Sequence, residues 1–218
     1  MIAPHFIKRL GIFIVGLLSA FILSGFASYI LQLSNQNSTY KHVWAVIGIV
    51  IYLLFIYFAI KLWRNKLRKT KPLVNLKINV LWLAIAIILM LIMYFILSDT
   101  QAVNHTNKTY NTTTLVYTFI FYVGFAPIVE ETICRGWFLS LFYRKNEEKV
   151  DKVINVVGGC IISSYISTMM HGFIDLTTTI PLFINGIIAA LLYFRSKSII
   201  LPIIFHLIIN LMAWLAMF

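Results

Sequence analysis

Apolar residues run almost without interruption over seven stretches: about Leu10 to Leu31, His42 to Trp63, Ile78 to Leu97, Thr114 to Tyr143, Val153 to Leu176, Ile180 to Phe194 and Ile199 to Phe218. A helix rising 1.5 Å per residue needs about 20 residues to cross the roughly 30 Å hydrocarbon layer of a bilayer. Runs of this kind therefore predict membrane-crossing helices. A chain of 218 residues has room for about seven of them and no sizeable soluble domain. The expected architecture is an all-α, polytopic transmembrane helical bundle of seven to eight helices, forming a single membrane domain over 1–218. The first run carries the small residues Ser24, Gly25, Ala27 and Ser28, as a cleavage site would, but its apolar length exceeds an ordinary signal-peptide core. It reads as a retained anchor.

Composition agrees with lipid as the solvent: 61% of residues are hydrophobic and 11% charged. The formal net charge of +11 raises the question of nucleic acid. No basic cluster carries interleaved aromatics in a water-soluble context, so no nucleic-acid partner is expected. The charge instead follows membrane orientation. Arg64, Lys66, Arg68, Lys69 and Lys71, flanked by Lys61 and Lys77, form a basic loop that the positive-inside rule assigns to the cytoplasm. Counting helices from that loop puts the N-terminus with Lys8 and Arg9, the 144–152 segment and the Arg195 to Lys197 turn on the same side. The polar stretch Asp99 to Thr113, with Asn-x-Thr sequences at Asn104, Asn107 and Asn111, then faces out. A bacterial plasma membrane is the expected location. Cys134 and Cys160 lie in apolar runs with no CxxC spacing, and so read as buried small residues.

The first three runs are almost free of ionisable groups, whereas the last four hold Glu130, Glu131, Arg135, His171, Asp175 and His206, with Asn210 as a strongly polar neutral residue. An ionisable group near the centre of a membrane helix costs about 2.5 to 3.5 kcal/mol on insertion scales, so it usually faces the bundle interior and marks a functional site. Glu131 and Arg135 are four apart, a spacing that allows a structural ion pair. Glu130 points about 100° away around the helix and is left as the candidate reactive carboxylate. His206 and Asn210 share a face four residues apart and present two donors side by side, as an oxyanion hole requires. His171, on a third helix, is placed to orient a water with Glu130.

Depth constrains this assembly. A helix entering near Thr114 puts Glu130 about 24 Å down, and one rising from Ser198 puts His206 about 12 Å and Asn210 about 18 Å up. A straight helix from Val153 would carry His171 about 27 Å up, near the wrong surface. Asn146 to Val157 is therefore expected to be interfacial, with a break at Gly158-Gly159.

The sequence Glu130-Glu131-Thr-Ile-Cys-Arg135-Gly136, then His171, then His206-x-x-x-Asn210 resembles the CAAX protease and bacteriocin-processing family (CPBP, or Abi), related to the type II CAAX prenyl endopeptidase. The likeness covers about the C-terminal half from Phe125, including the text from Leu192 to Pro202 that leads into His206. One position departs: the family's second motif usually reads FxxxH, and Ser167 stands where the Phe would be. The resemblance implies that residues 114–218 form a catalytic core opening toward the cytosolic side, and 1–98 are N-terminal helices without site residues. It implies that Glu130 and His171 activate a water, that His206 and Asn210 stabilise the oxyanion, and that Glu131 and Arg135 support the site. No cofactor is expected. Glu130, His171 and His206 would be the ligands if a zinc site existed, but helix-borne zinc proteases usually carry HExxH, which is absent.

The function so indicated is an intramembrane endopeptidase cleaving a membrane-associated peptide or protein near the cytoplasmic face. The settings that the family offers are bacteriocin maturation, self-immunity and processing of signalling peptides. The competing reading is a non-catalytic membrane protein of the same fold that regulates a sensor kinase or transporter. Other features have plainer expectations. Asp175 reads as a helix-end residue, Met169 and Met170 as packing, and Trp63, Trp82 and Trp214 as an aromatic belt. Trp137 and Phe138 suit a substrate groove or an interfacial anchor equally.

Overall fold

A computed structural model describes residues 4–36, 39–67, 76–98, 111–141, 149–172 and 176–216. Within them the chain forms seven helices: α1 (Pro4–Asn35), α2 (Lys41–Leu62, continued by a π turn Trp63–Leu67), α3 (Leu76–Ser98), α4 (Thr112–Leu141), α5 (Lys149–Met169), α6 (Leu176–Ser196) and α7 (Ile200–Leu215). There is no strand among the described residues. Four helical stretches, Ile7–Asn35, Lys41–Asn65, Thr112–Leu141 and Thr178–Ser196, are long and apolar enough to cross a bilayer; Lys77–Met93, Val153–Met169 and Ile200–Leu215 are shorter apolar helices. Large apolar side chains cover the outside, Ile22 at 73% and Leu54 at 53% exposure among them. Such a surface is stable only in lipid. The chain is an integral membrane protein with an all-α bundle fold.

The centre of the bundle is α4, whose Phe121 and Ile133 are fully enclosed. It does not run as a regular α-helix: π-helical stretches Phe119–Phe125 and Thr132–Phe138 flank the α-helical Ala126–Glu131. The α1 and α2 helices pack along it where small residues allow. Gly16 receives the Trp137 ring, and Gly48 lies under Ile30, Phe26 and Phe121. Trp137 and Phe138 are therefore core residues, Trp137 donating Nε1–H to Ala59 O at 3.2 Å and Phe138 packing on Phe13 at 4.9 Å between ring centroids. Trp63 also departs from the belt reading, since it is 4% exposed and lies against Gly136. Cys134 and Cys160 are free and buried, as expected.

Lys8, Arg9, Lys61, Arg64, Arg195 and Lys197 lie toward one end, whereas Lys41 is at the other. Arg9 donates to Ser140 O at 3.1 Å, and Trp63 and Ile199 both meet Gly136, so the start of α1, the end of α2, the end of α4 and the start of α7 share a level. At the opposite end Asn111 caps α4 by accepting from Thr114 N–H at 2.8 Å and donates to Ser34 O at 3.0 Å. His42 meets the Tyr117 hydroxyl there at 2.6 Å. Asn104, His105, Asn107 and Asp175 lie outside the described residues.

The expected break at Gly158-Gly159 does not occur: α5 is one helix from Lys149 to Met169. The depth difficulty is resolved by an axial offset. Ser163 Oγ donates to Cys134 O at 2.9 Å, which sets the two helices' register. From Ser163 back to Lys149 is about 21 Å, whereas Cys134 to Leu141 is about 10 Å, so α5 overshoots the end of α4 by about 11 Å. The run read as Val153 to Leu176 also ends early. Its helix stops at Met169, and Gly172 takes φ +82°, a left-handed conformation open to glycine, before α6 begins at Leu176.

Close approach of α5 and α6 depends on Gly186, where a Cβ would lie 2.9 Å from Ser164 Cα. Gly158, by contrast, has nothing within 4 Å of such an atom. Gly186→Ala should destabilise the bundle by about 1–3 kcal/mol, and Gly158→Ala should be neutral or stabilising by up to about 1 kcal/mol. Thermal unfolding in a fixed detergent or lipid checks the pair; similar midpoints for both would refute this packing.

Candidate active site

Glu130 and Glu131 sit at the end of the short α-helical stretch of α4, between its two π-helical stretches, and their side chains leave in different directions. Glu131 turns into a sealed polar chain. Its Oε1 accepts from Arg135 Nη1 at 3.0 Å and meets His206 Nδ1 at 2.9 Å, with the three side chains at most 4% exposed. A carboxylate paired with a guanidinium accepts, so His206 carries a proton on Nδ1 and donates it. Arg135 is held further by Ser167 Oγ, which accepts from Nη1 at 3.1 Å, and by Gly186 O, which accepts from Nη2 at 2.9 Å. Four helices, α4, α5, α6 and α7, are thus tied at one buried guanidinium and its carboxylate.

Glu130 faces a cavity instead. This space of about 250 Å³ is lined by Glu130, His171 and Asn210, by Tyr122 and Met170, and also by α1 and by Tyr52 of α2. Glu130 Oε2 stands 3.4 Å from His171 Nε2, at ion-pair distance, yet is enclosed and has no hydrogen-bond partner. His171 follows the end of α5 and is the more open of the two, its side chain 32% exposed. A carboxylate oxygen left without a donor inside a membrane bundle is costly, so it calls for a water or substrate in the cavity.

Asn210 reaches this cavity for a reason written in α4. Within the first π-helical stretch, Ala126 N–H donates to Phe121 O, five residues back. The next amide in that pattern would belong to Pro127, which has no N–H. Tyr122 O is therefore left free, and Asn210 Nδ2 donates to it at 2.8 Å. This bond uses one amide hydrogen and leaves the second for the cavity. The sequence showed Pro127 and Asn210 but gave no sign of the π register that connects them.

The structure brings all six residues singled out from sequence into one region. Glu131 and Arg135 pair as their spacing allows, and Glu130 and His171 meet at the cavity. His206 and Asn210 are both on α7, but Asn210 lines the cavity while His206 is 3% exposed and bound to Glu131. The lining from α1 and α2 had no sequence signal, because alanine, serine and tyrosine in an apolar run do not stand out.

Comparison with known proteins bears on the same segment. Residues 112–212 match the family model described as type II CAAX prenyl endopeptidase Rce1-like. Over that stretch the chain is similar to this protease family. No curated protein and no solved structure matches the chain. Every residue of the Ser167–Arg135–Glu131–His206 chain, with Glu130, His171 and Asn210, falls inside the matched segment, and α1 to α3 lie outside it. Ser167, at the position of the family's usual Phe, is the acceptor for Arg135.

Donor atoms of Glu130, His171 and His206 all lie within 4.8 Å of one another. Two histidines and a carboxylate are a donor set that zinc accepts, and Glu131 on His206 resembles the outer carboxylate that orients a zinc-bound imidazole. A Zn²⁺ at this place would be held by these three residues and would acidify a bound water. Ligation would also occupy Glu130, and Glu131 is already committed to Arg135 and His206, so no carboxylate would remain in the cavity as base.

Ser167→Ala should leave a buried Arg135 N–H without its acceptor and cost about 1–3 kcal/mol. The fall in thermal midpoint, compared with Ser19→Ala on the exposed face of α1, measures it; equal midpoints would remove Ser167 from the network.

Proposed function

We propose that the protein is an intramembrane endopeptidase that hydrolyses a peptide bond of a membrane-associated peptide or protein by means of a glutamate-activated water. The observation that carries this reading is Glu130, which lines the cavity and holds its Oε2, enclosed and without a hydrogen-bond donor, 3.4 Å from His171 Nε2. The similarity of residues 112–212 to a protease family supports the same reaction class.

In the proposed reaction a water held between Glu130 and His171 attacks the carbonyl carbon of the substrate, and Glu130 takes the proton that the water loses. Negative charge develops on the former carbonyl oxygen. The free hydrogen of Asn210 Nδ2 donates to it, as does Nε2–H of His206 when that ring carries both protons. Glu131 fixes the ring through Nδ1. Glu130 then returns its proton to the leaving nitrogen as the C–N bond breaks, giving an acid and an amine. Arg135 touches none of the reacting atoms; it holds Glu131, which holds His206. The basic end of the bundle supports a cytoplasmic N-terminus in a bacterial plasma membrane, with Glu130 nearer that face: the helix has about 16 Å left to run from Glu130 to Leu141.

The test is cleavage of membrane-anchored, internally quenched peptides, a farnesylated CAAX-type peptide included, by protein reconstituted in lipid. Glu130→Gln should lower kcat/KM by about 10²–10⁴-fold, the usual contribution of a general base, and His206→Ala should also be severely impaired. Activity should survive a chelator. Chelator-sensitive cleavage would replace the glutamate mechanism with the zinc site. Cleavage retained by Glu130→Gln would remove Glu130 as base. Absence of wild-type cleavage, with Glu130→Gln still complementing a deletion strain, would favour the non-catalytic regulator.

A further inference from the structure

Part of the cavity lining belongs to helices outside the family match, and one residue there is built as a donor. Tyr52, on α2, is 3% exposed and lines the cavity together with Glu130, His171 and Asn210. Its ring is fixed by stacking on Phe125, 5.4 Å between centroids and 20° between planes, and by Phe121 at 5.5 Å. Its hydroxyl has no hydrogen-bond partner among the described residues, and the residue lines the cavity. The hydroxyl is also close enough to interact electrostatically with Glu130 and Tyr122.

A tyrosine hydroxyl can donate and accept, and a buried one normally finds a partner. The Tyr122 hydroxyl has done so, meeting Ser28 Oγ at 2.8 Å. Tyr52, held by aromatic packing on both sides, reaches no protein group. Its partner must be something that occupies the cavity. Among the polar groups of that lining, Glu130 is set to take a proton and Asn210 has one free hydrogen to give. His206, the other donor proposed for the oxyanion, does not line the cavity, so a further donor in the lining would strengthen a sparse provision in a low-dielectric site.

Resting on the peptidase reading above, we propose that Tyr52 is a further substrate-contacting residue, whose hydroxyl donates a hydrogen bond to the tetrahedral oxyanion from the α2 part of the cavity lining. No covalent step is involved, and Tyr52 keeps its proton throughout. In this arrangement α2 completes the site that the matched segment begins, and the reacting carbonyl lies between α2 and α7.

Tyr52→Phe deletes the hydroxyl and keeps the ring that packs on Phe125. On a peptide that the wild type cleaves in lipid, it should lower kcat by about 10–100-fold with KM changed less than about threefold, the pattern of an interaction made in the transition state. The thermal midpoint should stay at the wild-type value. Unchanged kcat would overturn the assignment, as would a change confined to KM or a loss of kcat that follows a lower midpoint. If the wild type cleaves no peptide, the peptidase reading itself falls and the Tyr52 assignment falls with it; cleavage by wild type and Tyr52→Phe at equal kcat would sink the Tyr52 assignment alone.

Discussion

A guanidinium buried among membrane helices governs how this bundle closes. Arg135 is 1% exposed, and such a charge is tolerable only where its donors meet acceptors of good geometry. Glu131 supplies the counter-charge from the same helix, Ser167 an acceptor from α5, and Gly186 O one from α6. The α7 helix joins through His206 on the same carboxylate oxygen. Because each bond comes from a different helix, the relative positions of α4, α5, α6 and α7 are set together. Gly186 serves twice here: its missing side chain lets α6 approach Ser164, and its carbonyl thereby comes within reach of Arg135.

The two adjacent glutamates divide their work by direction. Glu131, inside the ion-pair chain, is spent on holding the imidazole, so it has no freedom to act on a substrate. Glu130, one residue earlier, emerges on the cavity side beside His171. A regular α-helix would already separate them by about 100°. The π-helical stretches on both sides add a second effect, because the wider turn before Pro127 frees Tyr122 O and gives Asn210 a fixed place. Such departures from α geometry are common at functional sites for this reason: a backbone group released from its helix becomes available to position a side chain.

Much of this could be read from the chain itself. Continuous apolar runs defined the helices, and the contrast between clean early runs and charged later ones located the site. The i, i+4 spacing of Glu131 and Arg135 was enough to foresee their pair, because that relation is local to one helix. What could not be read was non-local or irregular. The depth argument for His171 assumed that neighbouring helices begin at one level, and the 11 Å or so by which α5 overshoots α4 is set by packing such as Ser163 on Cys134, which no spacing encodes. Trp63 looked interfacial, and Trp137 suited a groove or an interface equally, because their glycine partners, Gly136 and Gly16, are far away in sequence. Tyr52 was invisible for the opposite reason, since a tyrosine in an apolar run is ordinary until a cavity is found beside it.

Ser167 shows how a departure from a family pattern should be weighed. A phenylalanine at this place would fill volume and offer no acceptor, leaving Arg135 to find its bonds from Glu131 and Gly186 alone. The serine gives up that packing and accepts from Nη1 inside a cluster of small residues, Ser163, Ser164 and Thr168, where α5 meets α4 and α6. In a bilayer, helix association gains little from apolar burial and more from close backbone approach and interhelical hydrogen bonds. Exchange of an aromatic for a hydroxyl is therefore a change in how α5 is fastened. His171, one turn further along, stands 3.4 Å from Glu130, so a helix fastened through Ser167 delivers the histidine to the cavity.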